Sequence, residues 1–420
     1  MAVTYEGWGP FLCCNSSLKH LGHLGGHLYK PPHLFLSHFP ITRLHCKGHT
    51  RNHRLLHPHR LSLHPIIYPS TGDGQAQGNG NIAGVTWGVR GSGRMAYGYN
   101  YDPFDRITQA TAAILMPDDN GDDAWEIGGN FDASYQYDKD GNITGLTRFG
   151  IKEICPGATG SQYEFGVIDD LEDSYDFNYT QNTSYLTQVN DISGIGAGFK
   201  APDATYTYYP NGNLFTDDSK GLTAQYNHLN LPTVLQLTGG DYAITYDAKG
   251  NKLKKDNPAE TVYYFPGMEM RYVDGEGTQF DFVFEEGRIH PDPEAPEGDE
   301  FLYEFCLKDH LGNTRVTFCD LNKDGNVPFY SNEVLQEHHY YPFGLEWGPY
   351  YGKSQQDQPW HYSIAEEEIM DGQYRYNGKE WNAAGDLNWV DYGARWYMPE
   401  IGRWNAVDPL ARDRKSTRLN

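Results

Sequence analysis

The stretch "YQYDKDGNIT", residues 135–144, decides how this chain folds. Tyr135 and Tyr137 alternate with Gln136, which places both rings on one face of an extended strand. Asp138 and Gly141 then fall at the first and fourth positions of a turn. The Asp carboxylate caps that turn and Gly takes the positive φ that follows it. Asn142 tolerates similar backbone, and Ile143 restarts the strand. One such unit is a hairpin that cannot bury its own apolar face, so it requires stacked neighbours.

Those neighbours are present. "YGYNYDPFDRIT" (97–108), "YTYYPNGNLF" (206–215), "AQYNHLNLPT" (224–233) and "ITYDAKGNKL" (244–253) share the frame Tyr-x-Tyr-Asp-x-x-Gly-Asn-Ile/Leu. Its anchors are Tyr101, Tyr137, Tyr208, Tyr226 and Tyr246, at intervals of 36, 71, 18 and 20 residues, so the unit is near 20 residues long. "FNYTQNTSYLTQV" (177–189) reads as a decayed copy.

Composition agrees with sheet. Of the 420 residues 14% are aromatic, 32 of them Tyr, and 47 are Gly, so the apolar material is mainly amphipathic rings that pair across strands. The net charge of −23 hides an asymmetry: residues 1–70 hold seven Lys/Arg and one acid, Glu6, which leaves the remainder at 26 − 55 = −29. Such a body repels nucleic acid and anionic membrane. No window approaches the 18 or so consecutive apolar residues of a spanning helix. The start, "MAVTYEGWGPFLCCNSS", is no secretory leader, so the protein is cytoplasmic or its true N-terminus lies upstream. The six Cys include no CxxC pair and supply neither a disulfide framework nor a zinc signature.

Both ends read differently from the body. Residues 1–65 contain 11 of the 17 His, at spacings that define no face. Residues 1–70 are therefore expected to be a disordered leader or an out-of-frame translation, with a His-rich metal tract as the other reading. The octapeptide DRKSTRLN, 413–420, back-translates to a common short-read sequencing adapter, against the alternative of a genuine basic tail.

The repeat frame resembles the YD repeat of the Rhs family of bacterial shell-forming proteins. "FCLKDHLGNTRV" (305–316), "EHHYYPFGLEWG" (337–348) and "YRYNGKEWNAAGDLNWVDYGARWYMPEIGRWNAVDPLA" (374–411) are similar to the Rhs repeat-associated core domain in its Bacteroidetes style. The resemblance implies an all-β fold of stacked hairpins spiralling into a hollow shell, with a YD-repeat region over 75–330 and a core domain over 331–412. It implies encapsulation of a C-terminal effector, no catalysis by the shell, and a secreted or cell-surface location. A secretion apparatus or a target-cell surface would be the further partner. The competing reading is a carbohydrate-binding adhesin of the wall-associated relatives.

Three sets of residues carry candidate chemistry. Asp320, Asn322, Asp324 and Gly325 match the first half of a Ca2+ loop, but its twelfth position is Ser331 rather than Glu; the competing reading is an acidic hairpin turn. His338 and His339 are adjacent, so a regular strand points them to opposite faces and they do not share one metal ion. Asp408, in "GRWNAVDPL", resembles the first Asp of the autocleavage site of Rhs cores, with Arg403 as its orienting cation. Such chemistry needs two close carboxylates with separated protonation states, and the second Asp-Pro-x-Gly element is absent from this sequence. Arg395 and Arg403 are also expected to stack on nearby rings or to pair with Asp391 and Glu400.

Overall fold

In the computed structural model the turn opened by Asp138 has the geometry its sequence demands. The Asp138 N–H donates to the Asn142 carbonyl at 3.0 Å and the Gly141 N–H to the Asp138 carbonyl at 3.3 Å, with Gly141 at φ +92°. One Asp138 oxygen accepts from the backbone N–H groups of Asp140 and Asn142, the other from the Asn142 amide. This is a type I turn closed by a left-handed residue, which forces a bulge into the hairpin; the register accordingly shifts at Gln136/Tyr137. The same backbone pair of bonds closes turns at 102–106, 209–213, 227–231, 247–251 and 309–313. Where the left-handed position is not Gly it is Asp105 or Asn230, at φ +64° and +63°, residue types that tolerate it best.

The structure describes residues 79–408, apart from 88–93, 118–122, 158–159, 179–182, 274–276, 292–300, 326, 328–332 and 348–372. The expectations for residues 1–70 and 413–420 lie outside the described residues, as does Ser331.

The described strands run, in order, β1 Gly84–Trp87, β2 Arg94–Tyr101, β3 Ile107–Pro117, β4 Asp123–Ile127, β5 Ala133–Tyr137, β6 Ile143–Gly157 and β7 Gly160–Asn178. There follow β8 Thr183–Asp191, β9 Asp203–Tyr208, β10 Leu214–Asp217, β11 Leu222–Tyr226, β12 Pro232–Gln236, β13 Tyr242–Tyr246 and β14 Lys252–Asp256. Next come β15 Thr261–Phe265, β16 Met268–Val273, β17 Gly277–Phe284, β18 Gly287–Pro291, β19 Phe301–Lys308, β20 Thr314–Cys319 and β21 Val334–Glu337. These 21 strands form one sheet. Each pairs antiparallel with the next, except that β3 pairs with both β4 and β5. A second sheet of four short strands comprises β22 Glu380–Asn382, β23 Trp389–Asp391, β24 Trp396–Met398 and β25 Arg403–Trp404. The fold is all-β, a meander of stacked hairpins. Among the described residues no helix is long and apolar enough to cross a membrane.

The small sheet packs on the large one. Leu387, Trp389, Trp396, Met398 and Ile401 share a buried cluster with Tyr135, Leu171, Tyr206, Leu235 and Tyr242 of the repeat strands. Burying rings of this size stabilises by roughly 2–3 kcal/mol each. We call residues 373–408 the plug. Within it Trp396 and Tyr397 are buried as expected, whereas Tyr392 is half-buried and Trp404 is 36% exposed.

The two ends of the large sheet are brought together by a strap, His338–Trp347. Trp87 on β1 donates from Nε1 to His339 Nδ1 at 2.9 Å. Trp347 donates to the Tyr97 hydroxyl at 3.0 Å and stacks on Phe131 at 3.9 Å between ring centroids. Tyr341 donates to the Phe149 carbonyl at 2.6 Å. On the other side Tyr340 donates to the Thr314 carbonyl at 3.0 Å, and the Arg315 guanidinium lies 4.9 Å from the Trp87 ring and 5.2 Å from that of Tyr340. Tyr340 and Tyr341 of the strap thus bury a ring and place the hydroxyl on a backbone carbonyl of another hairpin.

One part of the sheet is reversed relative to the repeats. In β5, β9 and β13 the rings Tyr135, Tyr206 and Tyr242 face the core. From β16 to β19 the buried face instead carries Glu269, Arg271, Asp281, Arg288, His290 and Glu304, while Tyr272, Phe280, Phe282, Phe301 and Tyr303 are exposed.

Candidate functional site

The reversed face meets the plug through charge. Glu380, on β22, accepts from Lys255 Nζ at 2.6 Å and from the Tyr264 hydroxyl at 2.7 Å. Lys252 also pairs with Glu380, and with Asp391 at 2.6 Å. Lys252 reaches this side of the sheet because the bulge at Thr245/Tyr246 shifts the strand's register at its start. Burial raises the Glu380 carboxyl, but the two ammonium groups outweigh it and hold the carboxyl well below the usual carboxylate range. Next to it Arg271 binds Asp281 at 2.7 Å, Glu269 at 2.7 Å, Glu260 at 2.9 Å and the Gln373 amide oxygen at 2.5 Å. Arg288 continues the row to Glu304 at 2.7 Å.

A second set of contacts holds the other end of the plug. Arg148 and Asp169, both buried, pair at 2.7 Å, and Arg148 also donates to the Glu400 carbonyl. Lys220 pairs with the Glu400 carboxylate at 2.8 Å. Arg403 donates to the Ile143 carbonyl at 2.7 Å and to Asp173 at 3.1 Å, with its guanidinium 4.9 Å from the Tyr175 ring. Burial pushes the Asp173 carboxyl up to about 6 against the pull of Arg403.

These positions correct the pairing expected from sequence. Asp391 binds Lys252, and Glu400 binds Lys220, so neither serves Arg395 or Arg403. Arg403 is committed to Asp173 and is not the cation at Asp408. That place is taken by Arg395, whose Nη2 lies 3.4 Å from Asp408 Oδ2 while its guanidinium stacks 4.3 Å over Trp404. The Asp408 side chain is 44% exposed. The reason is local: β25 alternates Arg403 and Trp404 across the sheet, so Arg403 points to the buried side and Trp404 outward with Arg395 on it.

In the acidic loop after β20, Asp320 and Asn322 accept from the loop's own backbone. Asp320 accepts from the N–H groups of Asp324 and Gly325 at 3.1 and 2.8 Å, and Asn322 Oδ1 also accepts from Asp324 N at 2.9 Å. Among the described residues no three His, Cys, Asp or Glu side chains converge as a metal site.

The adjacent histidines diverge. His338 Nδ1 lies 2.5 Å from Glu346 Oε1 and its Nε2 3.1 Å from Gln336 Oε1, whereas His339 faces Trp87. Glu346 also accepts from Arg375 at 2.9 Å. Burial raises this carboxyl, but His338 and Arg375 overcome it and bring it down to about 2.

Sequence reasoning did not single out Lys252, Lys255, Arg271 or Glu380. The available signal was charge at every second position of strands such as "MEMRYV" (268–273), which marks a sheet with one polar face but not which face is buried.

No protein-family model matches the chain, and none of the curated proteins matches it. Among solved structures it is similar to a TcdB2-TccC3-Cdc42 structure, with a TM-score of 0.39 and 14% identity over 79% of this chain and 19% of that one. A Tc holotoxin pore from Photorhabdus luminescens gives a TM-score of 0.39 and 14% identity over 79% and 18%. TcdB2-TccC3 without its hypervariable C-terminal region gives 0.38 and 15% over 79% and 19%. The chain spans less than a fifth of the length of these neighbours.

Proposed function

We propose that residues 79–408 form a section of the wall of an Rhs-type shell together with the plug that seals it, and that the shell encloses and presents an effector encoded downstream. The observation that carries this reading is the plug itself. Its Trp389 and Trp396 are fully buried against the repeat sheet, and its Glu380, Asp391 and Glu400 are paired with lysines 125 to 180 residues earlier in the chain. A meander needs no such partner to satisfy its ladders; a container needs its open face covered. The repeat frame and the similarity of 374–411 to the Rhs core support the same reading. Wall and plug do no chemistry in it, and export to the cell surface or medium follows from the resemblance.

The test is protease protection in the product of the complete locus. Polypeptide downstream of residue 408 should resist digestion in native buffer and become sensitive only at the urea concentration where the buried Trp fluorescence changes. Digestion of that region while the sheet stays folded would overturn the reading and leave the adhesin alternative.

A further inference from the structure

One neutral side chain takes part in the clamp between wall and plug. Lys255 Nζ donates to Glu380 Oε1 at 2.6 Å and to Asn382 Oδ1 at 2.9 Å, and all three residues are buried. Glu380 and Asn382 are two positions apart on β22, hence on one face. That face meets Lys255 where β14 runs between the buried Ile244 of β13 and Val262 of β15. The amide is oriented as well: Asn382 Nδ2 donates to the Glu380 carbonyl at 3.3 Å, which turns Oδ1 to the lysine.

A primary amine, a carboxamide and a carboxylate thus converge out of reach of solvent. The Asn382 carbonyl carbon is no more than about 4.1 Å from Lys255 Nζ, one C=O bond of ~1.2 Å beyond the oxygen. Near-attack geometries hold reacting atoms ~3–3.5 Å apart, and fixing them there replaces most of the entropy cost of an encounter. Lys252 differs, because it pairs with the carboxylates of Glu380 and Asp391, and a carboxylate resists attack by an amine.

We propose that Lys255 and Asn382 condense into an intramolecular isopeptide bond, with Glu380 as the acid–base group, so that plug and wall become covalently joined. Glu380 takes a proton from the Lys255 ammonium, and the freed amine pair attacks Asn382 Cγ. The Nζ–Cγ bond forms and the Cγ–Nδ2 bond breaks. Nδ2 receives the proton held by Glu380 and a second from the attacking nitrogen, so it departs as ammonium and Glu380 is again a carboxylate. No oxidant or co-reactant is consumed. The reaction occurs once per molecule, without turnover, and does not depend on whether the wall encloses an effector.

The test is the intact mass of the full chain, purified folded and measured after denaturation, with sequencing of its tryptic peptides. Expected are a mass below that of the sequence by one ammonia and a branched peptide joining Lys255 to Asn382. Lys255→Arg keeps a cation at Glu380 but has no nucleophilic amine, and Asn382→Ala removes the acyl group; both should carry their full sequence masses. In timed cell-free synthesis the folded fraction of Glu380→Gln should form the branch at least about a hundredfold more slowly. Asp391→Asn, which takes the same charge from Lys252, should form it as the parent does. A folded parent at its full sequence mass would overturn the proposal. Ammonia lost equally from Lys255→Arg would do so too, by placing the loss at an asparagine alone. Water lost in place of ammonia would mean a bond from lysine to a carboxylate and would overturn the assignment to Asn382. Linkage of Glu380→Gln at the parent's rate would overturn the role given to Glu380.

Discussion

Lys255 on β14 donates to Glu380 on β22 at 2.6 Å, and neither side chain is more than 5% exposed. Glu380 also serves Lys252, which has Asp391 as a second partner, so two plug carboxylates balance two buried cations of the wall and Glu380 is shared between them. Removing its charge leaves those cations undercompensated, which costs about 3–5 kcal/mol for a buried pair. Glu380→Gln should therefore lower the urea midpoint strongly. Asp386→Asn breaks a wall-to-plug pair with Lys200 in which both side chains are more than half exposed, and it should cost under about 1 kcal/mol. Equal effects would show that burial does not set the strength of the clamp. The sign with pH follows: the folded carboxyl of Glu380 lies below its unfolded value, so its contribution is present at neutral pH and is lost as pH falls.

The turn aspartates should separate by burial in the same way. Asp247 and Asp309 make the same three hydrogen bonds to their own turns. Asp309 alone is buried and also accepts from Arg315 Nε at 3.0 Å, holding the guanidinium against Trp87 and Tyr340 of the seam. Asp309→Ala should cost about 2–4 kcal/mol and change Trp fluorescence. Asp247→Ala should cost less and leave the fluorescence alone. Identical chemical denaturation curves for the two variants would contradict this ranking.

Asp217 titrates in the opposite sense from Glu380. Burial pushes its carboxyl up to about 6 although Lys220 and Ser219 oppose the shift, against about 3.9 in the unfolded chain. Between those values the native state binds the extra proton, so this group favours folding increasingly as pH falls from about 6 to about 4. At pH 7 it opposes folding by something on the order of 3 kcal/mol. Asp217→Asn keeps an acceptor for the Ser219 N–H, now at 2.9 Å. Its stability advantage over the parent should be largest at pH 7 and shrink towards pH 4.5. Parallel pH profiles from urea midpoints at pH 7, 5.5 and 4.5 would show that Asp217 does not titrate in this window.

The seam gives a prediction of its own. Trp87 and His339 are 252 residues apart and joined at 2.9 Å. Trp87→Phe keeps most of the ring but leaves His339 Nδ1 without that donor, at about 1–2 kcal/mol. Amide hydrogen exchange should quicken in β1 and in the strap while β9–β14 keep their protection. Uniform quickening across the sheet would mean that the strap is no separate unit of opening.

The legible parts of this fold are those set by neighbouring residues. Asp138, Gly141 and Asn142 define a turn within five positions, and the Gly- and Trp-rich run after residue 374 marks short packed strands. What could not be read is which face of a strand turns inward. "YAITY" (242–246) and "GTQFDFVF" (277–284) alternate equally well, yet the first buries its ring side and the second its Asp281. The choice depends on Glu380 and Gln373, which arrive about 100 residues later. Arg403 was misassigned for the same reason: Asp408 is five positions away in sequence, whereas its actual partner, Asp173, is 230 away.

That pairing bears on whether the chain cuts itself. An aspartyl reaction needs two close carboxylates, one protonated and one ionised. Asp408 is nearly half exposed, and Arg395 lies 3.4 Å from its carboxylate, beyond the usual length of a charged hydrogen bond. Asp173, the carboxylate at Arg403, is held by that guanidinium and by the Tyr175 hydroxyl at 3.1 Å. Asp408→Asn in the product of the complete locus should therefore run as one unprocessed chain, as the parent does, and alter stability by under about 1 kcal/mol. A parent that runs as two fragments and an Asp408→Asn variant that runs as one would make Asp408 catalytic, and Arg395→Ala would then show whether its guanidinium positions that carboxylate.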